Sequence, residues 1–215
     1  MTPAKRLFDI LAAIGLGVVL APLILSVAVV VRLRDGAPVI YRSERMRAPG
    51  RPFTLWKFRT MTVAATDSGV SGGDKAARIT PTGQVLRRWR LDELPQLWNV
   101  LRGDMSFVGP RPPLRRYVDA FPELYAEVLR ARPGITGLAT LVYHAEEERL
   151  LAPCRTAAQT EQVYIRRCVP RKARLDRIYS ARRNLGLDLW LMFATVIRRL
   201  PVAPGRRSRR RNAHR

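Results

Sequence analysis

Residues 10–31 read Ile-Leu-Ala-Ala-Ile-Gly-Leu-Gly-Val-Val-Leu-Ala-Pro-Leu-Ile-Leu-Ser-Val-Ala-Val-Val-Val, a run of 22 residues without a charged side chain. About 20 apolar residues are enough for a helix to cross the hydrocarbon core of a bilayer. Lys5 and Arg6 precede the run, and Arg32 and Arg34 follow it. The run is too long for the apolar core of a cleaved signal peptide, so we expect a helix that stays in the membrane.

Pro22 lies in the middle of this run and leaves its topology open. A proline inside a helix removes one backbone donor and clashes with the carbonyl one turn earlier, here that of Val18. Basic residues at both ends fit poorly with a spanning helix, whose outer flank is usually poor in Lys and Arg. We therefore predict that residues 1–34 form a membrane-inserted re-entrant helix, broken at Pro22, with both ends on the cytoplasmic side. A kinked single-pass anchor is the alternative.

The charge balance of the 215-residue chain indicates anionic partners. Its 39 Lys and Arg against 17 Asp and Glu give a formal net charge of +22. Nucleic acid, anionic lipid and phosphorylated substrates all satisfy such a balance. Cys154 and Cys168 lack the spacing of a metal-binding pair, and His144 and His214 lie far apart, which argues against a zinc site or a disulfide framework.

The rest of the chain predicts an α+β fold that is mostly helical. Short aromatic and β-branched segments bounded by Pro and Gly predict a few short strands, whereas helical spacing and amphipathic, interfacial helices prevail from Thr82 onward. The predicted elements are strands at Pro38–Arg42 and Pro52–Met61 with a turn at Ala48–Arg51, a flexible loop at Thr66–Lys75, and helices at Leu114–Arg130 and Glu161–Arg183. We expect residues 35–204 to form one small cytosolic domain and the arginine-rich residues 205–215 to be a disordered basic tail.

Residues 88–112 hold the strongest candidate for chemistry. They read Arg-Trp-Arg-Leu-Asp-Glu-Leu-Pro-Gln-Leu-Trp-Asn-Val-Leu-Arg-Gly-Asp-Met-Ser-Phe-Val-Gly-Pro-Arg-Pro, with Asp92 and Glu93 adjacent among arginines. Asp92 can cap a helix that carries Pro95 in its first turn, and the open N–H groups there would attract a phosphate. Taken alone, such an acidic pair is ordinarily a solvated helix cap.

The neighbouring residue types favour phosphoryl transfer, which needs a nucleophile, a divalent cation and cationic donors for the phosphate oxygens. Asp92 and Glu93 can supply the first two, because an aspartate carboxylate is an established nucleophile toward phosphorus.

The cationic donors are three side chains on two segments. Arg111 lies between Pro110 and Pro112, which stiffen the loop that presents it. Lys57 and Arg59 are one strand period apart, so they point to the same side of the predicted strand. Solvated surface charge is the ordinary interpretation of Lys57 and Arg59 when no other support is present.

These residues and several others make the chain resemble a known family, the bacterial sugar transferases, which are monotopic polyprenyl-phosphate phosphoglycosyl transferases. The matching stretches are Lys5-Arg6-Leu-Phe-Asp9, Lys57-Phe-Arg59-Thr-Met61, Leu91-Asp92-Glu93-Leu-Pro-Gln-Leu, Asn99-Val-Leu-Arg-Gly-Asp104-Met-Ser, Val108-Gly-Pro110-Arg111-Pro112, Arg132-Pro-Gly-Ile-Thr-Gly137 and Leu187-Asp188-Leu189. The match is dense from residue 5 to 113, thinner to Gly137 and weak afterwards.

The resemblance implies a ping-pong reaction at the cytoplasmic face of the bacterial cytoplasmic (inner) membrane. The residue matching Asp92 attacks the sugar-linked phosphate of a UDP-sugar, releases UMP and holds the phosphosugar as a covalent aspartyl intermediate. Polyprenyl (undecaprenyl) phosphate then accepts the phosphosugar. The product starts a glycoconjugate such as an exopolysaccharide, a capsule, an O-antigen or a glycoprotein glycan.

The resemblance also implies residue roles and partners. Mg²⁺ assists, with Asp92 and Glu93 as candidate ligands, Glu93 completes the catalytic dyad, and Arg111 in its Pro-Arg-Pro loop holds phosphate. Pro22 matches the break in the family's membrane helix. Anionic lipids of the inner leaflet are further expected partners, nucleic acid is not, and a homodimer is compatible with the sequence.

Three features leave alternatives open. Trp89 and Arg90 stand where the family usually has small hydroxyl-bearing residues, and residues 138–170 diverge from the usual polar continuation, so this region is expected to bear on the choice of sugar. A membrane-tethered, basic nucleic-acid-binding protein is the alternative from another class, although no known nucleic-acid-binding motif is visible. A polytopic transferase is disfavoured because the sequence has one long apolar run.

Overall fold

The structure is a computed structural model that describes residues 1–64, 70 and 72–197. The predicted basic tail at 205–215 lies outside these residues, as does part of the predicted loop at Thr66–Lys75. The remainder of that loop is more ordered than predicted, because Gly73–Arg78 forms a 3-10 helix.

The apolar run lies within helix α1, Pro3–Arg34, which confirms the predicted long N-terminal helix. Thr2 begins it as an N-cap whose side-chain oxygen accepts a hydrogen bond from the Lys5 amide, with proline in the first turn, where its missing N–H costs nothing. Pro22 lies inside the helix, and the Ser26 hydroxyl donates to the Pro22 carbonyl at 2.8 Å. Among the described residues, α1 is the one helix long and apolar enough to cross a membrane.

Burial along α1 changes with position. Asp9 and Ala13 are buried toward its N-terminal end, and Val27 and Val31 toward its C-terminal end. No residue between Ala13 and Val27 is buried, and Val18 and Val19 there are 71% and 74% exposed. The two ends of the helix therefore pack on the rest of the chain, whereas its middle presents apolar side chains outward.

The predicted hairpin is confirmed, with a longer first strand. Strand β1, Ile40–Ala48, pairs antiparallel with β2, Arg51–Phe58, in a register that places Tyr41 opposite Lys57. Gly50 has a φ of 68°, which glycine adopts without strain, and the register shifts near Ala48 to close the turn.

Helices dominate the remaining described residues, as predicted. They are α2 (Pro81–Trp89), α3 (Gln96–Arg102), α4 (Arg115–Ala120), α5 (Pro122–Val128), α6 (Leu138–Leu151), α7 (Ala157–Val163), α8 (Val169–Arg182) and α9 (Leu185–Ile197), with a π-helical turn at Tyr164–Cys168. The single helix predicted at Leu114–Arg130 is wrong, because α4 and α5 are separated at Phe121. A residue that precedes proline is disfavoured in helical geometry, and Pro122 follows directly.

A short parallel pair brings the proline loop into position. Strand β3, Ser106–Val108, pairs with β4, Gly134–Thr136. A Cβ atom on Gly109 would lie 2.0 Å from the Arg132 carbonyl oxygen, so only glycine permits this close approach of the two backbones. The loop that follows β3 is thereby held against the segment that leads into β4.

The buried apolar residues form two main groups. One unites Met46 and residues of α4 to α8, including Tyr117, Tyr125 and the free Cys168. The other unites β3 and α3 with α1 and α9, through residues such as Ala13 and Leu191. The apolar helices α1 and α9 are thus joined to the second group.

Candidate active site

The Asp92-Glu93 pair lies in a tight turn between two helices. Helix α2 ends at Arg90, which has a left-handed φ of 54°, and Leu91–Glu93 then form one 3-10 turn. The predicted cap by Asp92 is wrong: α3 begins at Gln96 with Pro95 as N-cap and without a side-chain cap. Backbone carbonyls just before the helix take that role, since the Leu97 amide donates to the Leu94 carbonyl and the Trp98 amide to the Pro95 carbonyl, each at 3.1 Å.

Glu93 is the centre of a buried cluster of charges. Its Oε1 accepts from Lys57 Nζ and from Arg111 Nη2, each at 3.0 Å, and its Oε2 accepts from Arg90 Nη1 at 3.3 Å. Burial alone would raise the pKa of Glu93, but the positive charges of Lys57, Arg111 and Arg90 outweigh burial and hold that pKa well below its usual range. Glu93 is therefore an anion that joins β2, the proline loop and the end of α2.

Asp92 is equally buried but far less engaged. Its Oδ2 lies 3.8 Å from Lys57 Nζ, and its carboxylate makes no hydrogen bond to any residue that the structure describes. Burial, with the negative charge of Glu93, raises the pKa of Asp92, although Lys57 acts in the opposite direction. Asp92 is thus a carboxylate kept close to cations without being neutralised by a direct bond.

Both acids line a cleft of about 900 Å³. Basic side chains prevail on its walls, and they are Arg42, Arg45, Lys57, Arg59, Lys75, Arg78, Arg87, Arg90, Arg111 and Lys172. Burial and the like charge of Arg111 lower the pKa of Lys57, although the negative charge of Glu93 acts to raise it. Such a cleft favours a ligand with several negative charges, such as a diphosphate.

The Pro110-Arg111-Pro112 loop is held by its backbone. The Pro110 carbonyl accepts a hydrogen bond from the Gly134 amide at 2.8 Å. Just after the loop, the Pro113 carbonyl accepts one from the Met46 amide at 3.0 Å. Pro112 accepts from Arg45 Nη1 at 3.5 Å. Both prolines are buried, Pro112 lines the cleft, and the Arg111 side chain turns toward Glu93.

Lys57 and Arg59 form hydrogen bonds to different parts of the chain. Both line the cleft, but Lys57 contacts the two acids, whereas the Arg59 guanidinium donates to the Asp35 and Gly36 carbonyls that follow α1. Arg59 therefore ties the end of the membrane-type helix to β2. Its predicted role in binding substrate stays a prediction.

The predicted Mg²⁺ ligands differ in their fit. Asp92 offers carboxylate oxygens without hydrogen bonds toward the cleft, which suits a hard cation. Both oxygens of Glu93 are taken by cationic side chains, so Glu93 does not fit a metal ligand in this arrangement. Within residues 1–64, 70 and 72–197, no group of three His, Cys, Asp or Glu residues could hold a metal ion by itself.

Sequence reasoning missed several cleft residues. Arg90 was noted only as a departure from the family, yet it ends α2 and pairs with Glu93. Lys172 and Asp176 on α8 carried no local signal, because charged residues at helical spacing look like solvated surface. Glu147 on α6 lies in the divergent region, and its contact with Lys172 at 3.0 Å spans two helices.

The sequence matches a known protein family and several known proteins. The sequence pattern described as bacterial sugar transferase matches residues 1–201. The chain is 47% identical over 137 residues to the uncharacterized sugar transferase EpsL of Bacillus subtilis, which covers 64% of this chain and 67% of that protein. It is 35% identical over 198 residues to the UDP-N-acetylgalactosamine-undecaprenyl-phosphate N-acetylgalactosaminephosphotransferase of Aeromonas hydrophila, covering 89% of this chain and 42% of that protein.

A third relative is the UDP-glucose:undecaprenyl-phosphate glucose-1-phosphate transferase of Caulobacter vibrioides, which is 43% identical over 140 residues, or 63% of this chain and 52% of that protein. The chain thus spans between two fifths and two thirds of the length of these three relatives. The family pattern, in contrast, covers all the described residues. The chain belongs to the bacterial sugar transferase family.

Proposed function

We propose that this protein is a phosphoglycosyl transferase that moves a phosphosugar from a UDP-sugar to polyprenyl (undecaprenyl) phosphate. The single observation that carries this proposal is Asp92, a buried carboxylate without a hydrogen bond among the described residues, placed beside cations in a basic cleft. Two relatives are named for transfer of this kind, with UDP-sugar and undecaprenyl phosphate as substrates.

The proposed chemistry has two steps. An Asp92 oxygen attacks the sugar-linked phosphorus of the UDP-sugar, and the bond from that phosphorus to the bridging oxygen breaks, so that UMP leaves with the electron pair. An oxygen of the polyprenyl phosphate then attacks the same phosphorus, and the bond to Asp92 breaks. The product is a polyprenyl-diphosphate-sugar, and the free carboxylate is restored.

The cluster around Glu93 serves this chemistry by position and charge. Glu93 holds Lys57, Arg111 and Arg90 at the bottom of the cleft, where their remaining N–H groups can bind phosphate oxygens as charge develops in the transition state. Glu93 is thus proposed as an organiser and not as a metal ligand. Asp92 is the residue that would hold Mg²⁺ together with substrate phosphates and water, and the ion would neutralise part of the diphosphate charge.

We also propose that α1 is re-entrant and holds the cleft at the cytoplasmic face of the inner membrane. Near its start, Arg6 donates to the Val100 and Leu101 carbonyls at 2.6 and 2.7 Å, and just after its end Thr80 donates to Asp35 at 3.1 Å. Contact of both ends with one domain supports a topology in which both remain on the same side. The exposed middle, with Pro22, would enter the bilayer.

Anionic lipid is the surface that the exterior of the chain suits best. Helix α9 exposes Trp190, Phe193 and Val196 at 56%, 65% and 62%, and arginines surround it in sequence. Aromatic side chains favour the interface of a bilayer, and each nearby Lys or Arg adds about 1 kcal/mol of attraction to an anionic leaflet. If α9 lies in the interface of the bilayer, the cleft is placed near the phosphate of a polyprenyl lipid.

The proposal is tested by trapping the intermediate. Purified full-length chain in lipid nanodiscs is given Mg²⁺ and a panel of UDP-sugars without polyprenyl phosphate, and the protein is then analysed by mass spectrometry. We expect one phosphosugar on the peptide that contains Asp92, with release of one equivalent of UMP. Addition of polyprenyl phosphate should discharge the adduct and restore turnover.

Asp92→Asn should abolish both adduct and UMP release while leaving the fold intact, since the two side chains have the same shape. Asp119→Asn, on the exposed face of α4, is the matched control and should behave as wild type. Normal UMP release by Asp92→Asn would exclude the proposed nucleophile. Salt-sensitive DNA binding without nucleotide turnover would instead favour the nucleic-acid-binding alternative.

A further inference from the structure

Beside the charge cluster, the cleft extends into a recess formed by helices α5, α6 and α8. We call it the inner recess, and its polar and aromatic lining residues are Tyr117, Tyr125, Glu147, Tyr164, Lys172 and Asp176. Its walls belong to the buried group that unites α4 to α8, which among the described residues contains no side chain of α1 or α9. The recess therefore lies apart from the apolar helices and suits a water-soluble ligand.

Asp176 is the unusual member of this lining. It is 6% exposed, it faces the cleft, and it forms no hydrogen bond or ion pair with any residue in the described part of the chain. A carboxylate this deeply buried loses most of its hydration, and no hydrogen bond from the described residues replaces it, which is costly for the fold. Burial accordingly raises the pKa of Asp176 to about 7.

Lys172, a cation one helical turn away, does not form an ion pair with Asp176. Lys172, four residues earlier on the same helix face, donates to both Glu147 oxygens at 3.0 Å and to the Tyr164 hydroxyl at 3.3 Å. An ammonium has three N–H groups, so these contacts use all of them. The ring of Tyr164 also lies 5.1 Å from Lys172 Nζ, which fixes the lysine against the wall.

The backbone that presents this wall is irregular. Tyr164 begins the π-helical turn Tyr164–Cys168 directly before α8. Such turns are rare and occur frequently at functional sites. The turn sets Tyr164 against Tyr117, with ring centroids 4.9 Å apart, and both rings are buried in the core beside Lys172 of α8.

The recess adjoins the proposed phosphate site through Arg111. The pKa of the Arg111 guanidinium is raised mainly by Glu93 and further by Glu147 and Asp92, so Arg111 lies within electrostatic reach of both the acidic pair and the recess. A diphosphate held at Arg111 would therefore direct one of its two substituents into the recess.

We propose that the inner recess binds a polar ring of the sugar nucleotide, and that the Asp176 carboxyl is the hydrogen-bond partner of a hydroxyl or N–H group on that ring. This inference rests on the proposed function. Both substituents of the diphosphate, the sugar and the nucleoside, carry such groups. Asp176 would select for a donor at the edge of that ring.

The test compares Asp176→Asn with wild type and with the exposed control Asp119→Asn, all as full-length chains in nanodiscs. Loss of a hydrogen bond to a charged group predicts a fall in UDP-sugar affinity of about tenfold or more, measured by equilibrium titration. If the ring is the nucleoside, affinity for UMP should fall by the same factor. If the ring is the sugar, UMP affinity should stay constant and the order of preference among UDP-sugars should change.

Stability separates this role from a structural one. Because Asp176 is an unpaired buried carboxylate, Asp176→Asn should unfold at a higher temperature than wild type at pH 8 while binding more weakly. Unchanged affinity for both UDP-sugars and UMP would overturn the proposal, as would a joint loss of stability and affinity. Failure of wild type to release UMP from any UDP-sugar would overturn the proposed function alone, because the titration does not depend on turnover.

Discussion

The membrane-type helices and the cleft reverse the usual distribution of side chains in opposite ways. Helices α1 and α9 expose large apolar residues, such as Val19 at 74% and Phe193 at 65%. The cleft instead buries charges, with Asp92 and Glu93 each 7% exposed. In a water-soluble protein both arrangements would be unfavourable, and each fits a proposed partner: lipid against the helices, and a phosphate-bearing substrate against the cations that surround the two acids.

The two regions also differ in how far contacts within the chain offset the unfavourable burial of charge and exposure of apolar side chains. The cleft compensates Glu93 with three cations but leaves Asp92 and Asp176 without hydrogen bonds among the described residues. Helix α1 is packed only near its ends, on α3 and α9 at one end and on β2 and α2 at the other. The parts left uncompensated, the two acids and the middle of α1, are the parts we expect to meet substrate and lipid.

The largest loss of stability and activity is expected at Glu93, the buried charge with the most ion-pair partners. Glu93→Gln removes the buried anion that faces Lys57, Arg111 and Arg90 and leaves three partly buried cations without their counter-charge. We expect the free energy of unfolding to fall by about 3 to 5 kcal/mol. UMP release should fall by about 100-fold or more, because the cations lose their fixed positions. Thermal unfolding and UMP release measure these two effects.

Glu123→Gln on α5 is the matched control, since Glu123 is exposed and outside the cleft. A Glu93→Gln protein that is as stable and active as Glu123→Gln would contradict the central role of Glu93 and remove the contrast with Asp92.

The next effect concerns a part of the cleft that is not compensated. The pKa of Asp176 is about 7 in the folded chain and 3.8 in an ordinary aspartate, so the folded state binds more protons between these values and stability falls as pH rises through that window. Asp176→Asn should therefore stabilise the chain by up to about 4 kcal/mol at pH 8 and by almost nothing at pH 4. Unfolding followed across this pH range measures the difference, and a constant difference at all pH values would contradict it.

How far the sequence predicted these two regions follows from how local their signals are. The apolar run and the hairpin are visible in consecutive residues, and both were predicted correctly. The closeness of Asp92, Glu93, Lys57 and Arg111 was expected from the family resemblance, and the structure brings them together.

The errors and omissions have non-local causes. Asp92 was predicted to cap α3, but the left-handed Arg90 starts a separate turn at Leu91–Glu93, and α3 begins only after it, with Pro95 as N-cap. The pairing of Glu147 with Lys172 joins residues 25 positions apart on two helices. The unpaired state of Asp176 depends on a third residue that uses up the nearest ammonium, which no sequence pattern indicates.

A smaller effect is expected at the joint between the two regions. Lys5 of α1 forms an ion pair with Asp188 of α9, which is 1% exposed and also accepts from the Tyr179 hydroxyl at 2.6 Å. Lys5→Met leaves this buried carboxylate with only the tyrosine, so we expect a loss of about 3 kcal/mol. Thermal unfolding of the single variants and of Lys5→Met with Asp188→Asn forms a double-mutant cycle. Additive losses would mean that the joint does not couple the two helices.

The smallest effect tests whether lipid covers the exposed side of α9. A water-soluble maleimide is excluded from the hydrocarbon region, so a cysteine at position 193 should react at least about tenfold more slowly when lipid covers it. The variant is Phe193→Cys in liposomes, and Asp119→Cys on the exposed face of α4 is the control that should react at the rate of a free peptide. The native Cys154 and Cys168 are buried, which keeps their background labelling low. Equal rates at positions 193 and 119 would place α9 in water, and the contrast between the two regions would then rest on α1 alone.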